Sequence, residues 1–277
     1  MQRQDATEQT RLIEKAQTLL QQGALEDARE LLLREGFEQG DNPLLQNAYY
    51  ELIPLGETLQ ARLDPLKTAL QPPYDEASVK AVAAIVKEAA KASNKVTHAW
   101  IRDPRVTDLL IDALSHGNAR LVKEAALALT HIVHRYFADY RVRAAFVPLL
   151  SNANKTLRRV ACGVVGRWPD ESIVAMLAPL TEDKAAEVRQ EATKTLAGLE
   201  QENIPALTRP LFEDALIARL KDSEPTVRDI AAFGLGAHGV ARAASELEAA
   251  LRVEVSPLVR ESIEITLGKL TKKTGQA

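Results

Sequence analysis

The sequence predicts an all-α fold, a right-handed α-solenoid (superhelix) of stacked helical hairpins. Two observations predict it. First, a short pattern returns five times in the second half of the chain, at residues 121–129, 157–165, 188–196, 227–235 and 259–267. The first residues of these segments lie 36, 31, 39 and 32 positions apart. A recurrence of this length marks a stack of similar units, each burying its apolar side on its neighbours. Second, apolar or small residues fall at offsets 0, +4 and +8 of every copy, which is one stripe on one face of a helix.

Each copy is the second helix of a hairpin. Offset +4 is Ala125, Ala161, Ala192 and Ala231 in four copies and Ile263 in the fifth. A small residue there lets two helices approach closely. A first helix precedes each copy, as at residues 105–114, 142–150 and 172–180. Pro148 and Pro179 are expected to bend their helices, because proline lacks the N–H and crowds the preceding turn. Gly166, Gly236 and Gly268 follow offset +8, where a helix can end or pack closely.

Polar residues repeat as well. Offset +1 is Arg158, Arg189, Arg228 and Arg260 in four copies. Five positions before the anchors stand His116, Asn152, Asp183, Asp222 and Glu254. These residue types accept hydrogen bonds and cap helix starts. The pattern predicts a structural ladder, represented by Asp183, Arg189, Asp222 and Arg228. In it a loop side chain bonds the backbone or an arginine of its own or the next unit. The rival reading is a row of anion-binding groups.

The run Asp183-(x4)-Val188-Arg189-(x2)-Ala192-(x3)-Leu196, and its counterpart from Asp222 through Val227, Arg228, Ala231 and Leu235 to Gly236, resemble the HEAT repeat. More narrowly they are similar to HEAT-like repeats of the phycobilisome-lyase type, and the stretch from Leu235 to Gly239 resembles that family's inter-repeat turn. The resemblance covers about residues 103–273. It implies a solenoid of about five repeats over residues 103–277. On function it implies only a range of roles: scaffold, lyase, chaperone or nucleic-acid binder.

The N-terminal third reads differently. Helices are expected from Leu12 to Gly23, over residues 25–33, from Asn42-Pro43 onward with Tyr49 and Tyr50, and over residues 57–71 with an interruption at Pro65. Gly23-(x4)-Ala28 followed by Asn42-Pro43 resembles part of a tetratricopeptide hairpin, although the large aromatic of that motif's first helix is missing. Residues 1–72 are therefore assigned to N-terminal hairpins. A boundary is expected at Pro72-Pro73-Tyr74-Asp75. Residues 73–102 are read as a transition helix rather than a regular repeat.

Composition restricts the function classes. With 46% hydrophobic residues among 277 and only 4% aromatic, the chain is a folded, helix-packing protein. The single cysteine, Cys162, excludes an internal disulfide framework and reads as a small core residue. The first residues lack the apolar core of a signal peptide, and no stretch approaches the ~20 apolar residues of a membrane span. A cytoplasmic protein is the expectation. CxxC, HExxH, GxSxG and a glycine-rich phosphate loop are all missing, and no histidine precedes a glutamate. Neither a catalytic constellation, a metal site nor a cofactor is expected. Trp100, Asp103 and Arg105 offer the residue types that some HEAT-fold proteins use to excise damaged bases. His131 and His134 share one helix face without a third ligand.

Charge is partitioned along the chain. Residues 1–75 carry 7 basic and 13 acidic side chains, residues 76–168 carry 15 and 7, and residues 169–277 carry 13 and 18. Offset +2 runs Lys123, Arg159, Gln190, Asp229, Glu261, from basic to acidic. The basic middle stretch also holds the densest aromatic cluster. Arginine with aromatic residues is the composition of interface hot spots. The sequence thus predicts a non-enzymatic scaffold or adaptor. It would bind another macromolecule, a protein with an acidic surface first, through the concave face and a central basic–aromatic patch. The expected contact residues are Lys123, Arg135, Tyr136, Tyr140, Arg141, Arg143, Arg159 and Arg167. The competing classes are a nucleic-acid binder, disfavoured by the acidic flanks, and a bilin lyase or chaperone.

Overall fold

A computed structural model describes residues 6–39, 41–91, 99–135 and 138–274. Among these residues the secondary structure is helical, with no strand. The helices are α1 (Ala6–Gln21), α2 (Leu25–Leu33), α3 (Pro43–Leu52), α4 (Glu57–Ala69), α5 (Glu76–Lys91), α6 (Pro104–His116), α7 (Ala119–Arg135), α8 (Arg141–Phe146), α9 (Lys155–Val165), α10 (Ile173–Leu177), α11 (Ala186–Ala197), α12 (Arg209–Arg219), α13 (Pro225–Ala237), α14 (Ala244–Val253) and α15 (Pro257–Thr274). The chain forms two compact units, Met1–Ala145 and Phe146–Ala277.

In the first unit α1, α2 and α3 pack on one another. The turn from α1 to α2 passes through Gly23 at φ +78°, a left-handed conformation that suits glycine. Asn42 caps α3, its side chain accepting from the Leu45 N–H, and Pro43 sits where a missing N–H costs nothing. Helix α4 runs unbroken through Pro65, against the expected interruption. Pro65 and Ala61, whose carbonyl loses its partner, are both exposed, so water can satisfy that oxygen. Helix α5 packs along α7, with α4 beside it and α6 beside α7. The transition segment therefore stacks as the second helix of a hairpin.

The second unit repeats one scheme. Helices α9, α11, α13 and α15 pack in sequence, α9 on α11, α11 on α13 and α13 on α15. Their stripes face inward. Val188, Ala192, Leu196, Val227, Ala231 and Leu235 are all 0% exposed. The prolines act on the first helices. α8 tightens into a 3₁₀ turn at Val147–Ser151 and α10 into one at Ala178–Glu182, each with its proline in the first positions of that turn. Of the three glycines, Gly166 caps the end of α9. Gly236 lies inside α13 where a Cβ would come 2.6 Å from Thr266 Oγ1, and Gly268 has no neighbour within 4 Å of such a position.

Candidate functional site

The repeated arginines and acids of the second unit meet across successive repeats. Arg158 donates from Nε to Asp183 Oδ2 (2.6 Å) and from Nη2 to Asp183 Oδ1 (2.8 Å). Arg189 grips Asp222 in the same two-point manner, at 2.8 Å each. Arg228 grips Glu254 at 2.6 and 2.8 Å. The remaining arginine nitrogen turns back to its own loop. Nη1 of Arg158 donates to the carbonyls of Asn152 and Ala153, and Nη1 of Arg228 to those of Asp222 and Ser223. Each acid also accepts a backbone N–H two residues on: Ala185 for Asp183, Glu224 for Asp222, Ser256 for Glu254. Planar guanidinium and carboxylate suit this geometry, and burial strengthens it. The side chains of Arg158 and Asp183 are 7% and 9% exposed.

The electrostatics follow from these contacts. Hydrogen bonds from Arg158 hold the Asp183 carboxyl below its ordinary value. At Asp222 burial pushes upward, but Arg189 and the Glu224 N–H outweigh it. Arg228 and two backbone N–H groups bring Glu254 down to about 2. Cys162 is fully buried, and burial pushes its thiol up to about 12.

The first unit has a second polar network. Buried Asp103 caps α6 through the Arg105 N–H and accepts from Tyr49 Oη (2.9 Å) and from the Arg105 guanidinium. Asp139 repeats the arrangement with Arg141, receiving its backbone N–H, its Nε and its Nη2. Arg141 also donates to Asp108 (2.7 Å) and Tyr50 Oη, and lies over the Phe37 ring. Burial pushes the Asp139 carboxyl up against the pull of Arg141. The Asp-x-Arg pair thus recurs at the step that separates Leu121 from Leu157. It ties the N-terminal hairpins to α6 and to the start of α8. Charge counting missed it, because a capping aspartate has no long-range signature.

The expected contact residues divide. Lys123 and Arg167 are exposed, and Arg159 is half-buried on the outward side of α9. Neither Arg159 nor Arg167 makes an ion pair among the described residues. Arg141 is engaged inside the fold by two carboxylates, Asp139 and Asp108. Tyr140 and Arg143 are half-buried, and the Tyr140 N–H donates to the Phe37 carbonyl at 2.8 Å. Tyr136 and the Arg135 side chain lie outside the described residues.

Trp100, Asp103 and Arg105 are likewise used internally. Trp100 Nε1 donates to Glu88 with Arg62 over its ring, and Arg105 donates to the Ile53 carbonyl. Trp100 and Asp103 border a cavity of ≈ 250 Å³ with Leu25, Arg29, Ile53 and Leu59. Among the described residues no group of three or more His, Cys, Asp or Glu could hold a metal ion. None of the described helices is long and apolar enough to cross a membrane.

This arrangement has relatives. The family of HEAT repeats matches residues 143–215. Residues 143–215 carry HEAT repeats. An archaeal HEAT-like repeats protein from Thermococcus onnurineus NA1 superimposes with TM-score 0.56 at 16% identity, over 98% of this chain and 99% of that one. A designed armadillo repeat protein in complex with the peptide (KR)4 gives TM-score 0.58 at 17% identity, over 78% and 100%. Designed armadillo repeat proteins for modular peptide recognition give TM-score 0.59 at 15% identity, over 76% and 99%. At these identities the likeness is one of fold. No curated protein matches the chain. The Arg158–Asp183 rung falls within the matched residues, whereas the Arg189–Asp222 rung starts within them and ends on Asp222 beyond them.

Proposed function

We propose that this HEAT-repeat protein is a non-enzymatic scaffold that binds another protein through the outward face of its second helices. The observation that carries the reading is the division of labour between adjacent arginines. Arg158 is buried in a rung, whereas Arg159 stands on the outward side of the same helix with no ion pair among the described residues. Arg159 acts on Glu187 only from beyond ion-pair distance, and a guanidinium with no carboxylate in direct contact is suited to carboxylates of another chain. Arg159 and Arg167 form the proposed contact in the second unit, and Lys123 has the same role in the first. An acidic protein surface fits these charges. The peptide-binding designs of the same fold support a protein as the class of partner.

Affinity capture from the native host, eluted with rising salt, tests the reading. The expected result is a protein partner eluting without nucleic acid. Nucleic acid in the eluate, lost steeply as salt rises, would establish the nucleic-acid reading instead. A coloured tetrapyrrole protein would establish the lyase or chaperone reading.

A further inference from the structure

The outward face of the second helices is not uniform. Offsets +2, +6 and +10 read Arg159, Gly163, Arg167 on α9 and Gln190, Lys194, Gly198 after the Val188 anchor of α11. On α13 they read Asp229, Phe233, Ala237, and on α15 Glu261, Ile265, Lys269. Phe233 is 60% exposed and Ile265 51%, and Leu258, one turn before Glu261, is 60% exposed. The fold does not require large apolar residues at offset +6, since α9 and α11 carry glycine and lysine there. The side-by-side register is fixed by two bonds, Ser262 Oγ to Asp229 and Thr266 Oγ1 to the Ala232 carbonyl (2.9 Å). These place Asp229 level with Glu261 and Ser262, and Phe233 level with Ile265 and Lys269. Lys269 Nζ stands 6.0 Å from the Phe233 ring centroid. Along α15 the order is Leu258, Glu261, Ile265, Lys269, so the carboxylates of Asp229 and Glu261 lie on one side of the Phe233–Ile265 pair and Lys269 on the other.

We infer that this patch docks a basic amphipathic peptide segment of another protein. Leucine- or phenylalanine-sized side chains would cover Phe233 and Ile265. Lysines or arginines along one flank would reach Asp229 and Glu261, and Lys269 repels cations on the other flank, which sets the direction of binding. The inference rests on the scaffold reading but not on the Arg159 and Arg167 contact, so failure of one leaves the other standing.

The test uses the full chain and a fluorescently labelled synthetic helix-forming peptide with leucines at i, i+4 spacing and lysines along one flank. Its comparison peptides replace every lysine by glutamate or every leucine by serine. The lysine–leucine peptide should bind, and each comparison peptide should bind at least about tenfold more weakly. Phe233→Ser with Ile265→Ser should weaken binding about tenfold or more, and Asp229→Lys with Glu261→Lys should do the same. Leu207→Ser removes an equally apolar side chain, 91% exposed and off this face, and should leave binding unchanged. Circular dichroism confirms that each variant is folded. The inference is overturned if the glutamate peptide binds as well as the lysine peptide, or if neither double variant weakens binding. It is also overturned if the parent sediments as a dimer that Phe233→Ser with Ile265→Ser dissolves, because the occupant would then be a second copy of the chain.

Discussion

Arg158 of one repeat holds Asp183 of the next by two parallel hydrogen bonds of 2.6 and 2.8 Å, with both side chains buried. The same carboxylate takes the Ala185 N–H and so fixes the start of α11. One side-chain pair thus sets both the stacking of adjacent repeats and the turn within the second.

Breaking a rung from one side should be costly. Arg158→Met leaves the Asp183 carboxylate buried without its cation and should destabilise the second unit by about 3–5 kcal/mol. Replacing both partners by apolar residues should cost distinctly less. A double-mutant cycle in urea reads the coupling. Equal costs for the single and double changes would show that the rung is not an energetic unit.

The rungs make stability depend on acid. Asp183, Asp222 and Glu254 have depressed values in the fold, so their contribution is complete above the ordinary carboxylate range of about 4. It is lost as pH falls through the depressed values, which for Glu254 means toward about 2. The urea midpoint should therefore drop between about pH 5 and about pH 2. Glu254→Gln should lower the midpoint at neutral pH and flatten that drop. A Glu254→Gln profile parallel to the parent's would rule out this linkage.

Two glycines should respond in opposite directions. A Cβ at Gly234 would lie 2.7 Å from the Ala197 Cβ, an atom that no rotation can move aside. Gly234→Ala should destabilise, since overpacking of about 1–3 kcal/mol outweighs the gain in helix propensity. Gly268 lies within α15 with open space around it, so Gly268→Ala should stabilise by up to about 1 kcal/mol. Thermal melts of the two variants check the contrast.

The small residues at offset +4 should be intolerant of charge. Ala192 and Ala231 are 0% exposed where second helices meet. Ala192→Asp or Ala231→Asp introduces an unpaired carboxylate there, at a cost of several kcal/mol. Each repeat is held by its neighbours, so the loss should spread beyond one hairpin. Hydrogen exchange should show several helices of the second unit losing protection together. Protection lost in one helix only would contradict this.

Much of the fold was legible because burial imposes a period. Val188, Ala192 and Leu196 recur at helical spacing since only those positions meet the neighbouring helix. Which acid an arginine reaches was not legible, because local spacing does not distinguish Asp183 from the more distant Asp222 as the partner of Arg189. The stacking of α5 left no signal either, as that helix lacks the arginine and acid of the later repeats. The internal pairing of Arg141 was not legible for a different reason. A count of basic residues cannot register that Asp139 and Asp108 fold onto the same guanidinium. The outward residues of α9 were legible as positions on a helix, while their exposure depended on the packing.

The central claim is that adjacent arginines divide the work, Arg158 holding the fold and Arg159, with Arg167, holding the partner. The direct test compares Arg158→Met with the double variant Arg159→Glu and Arg167→Glu, recording the urea midpoint and the capture of partner from the native host. The account predicts that Arg158→Met lowers the midpoint. It predicts that the double reversal keeps the parent's midpoint and helical spectrum but captures no partner. Undiminished capture by the double reversal would contradict it.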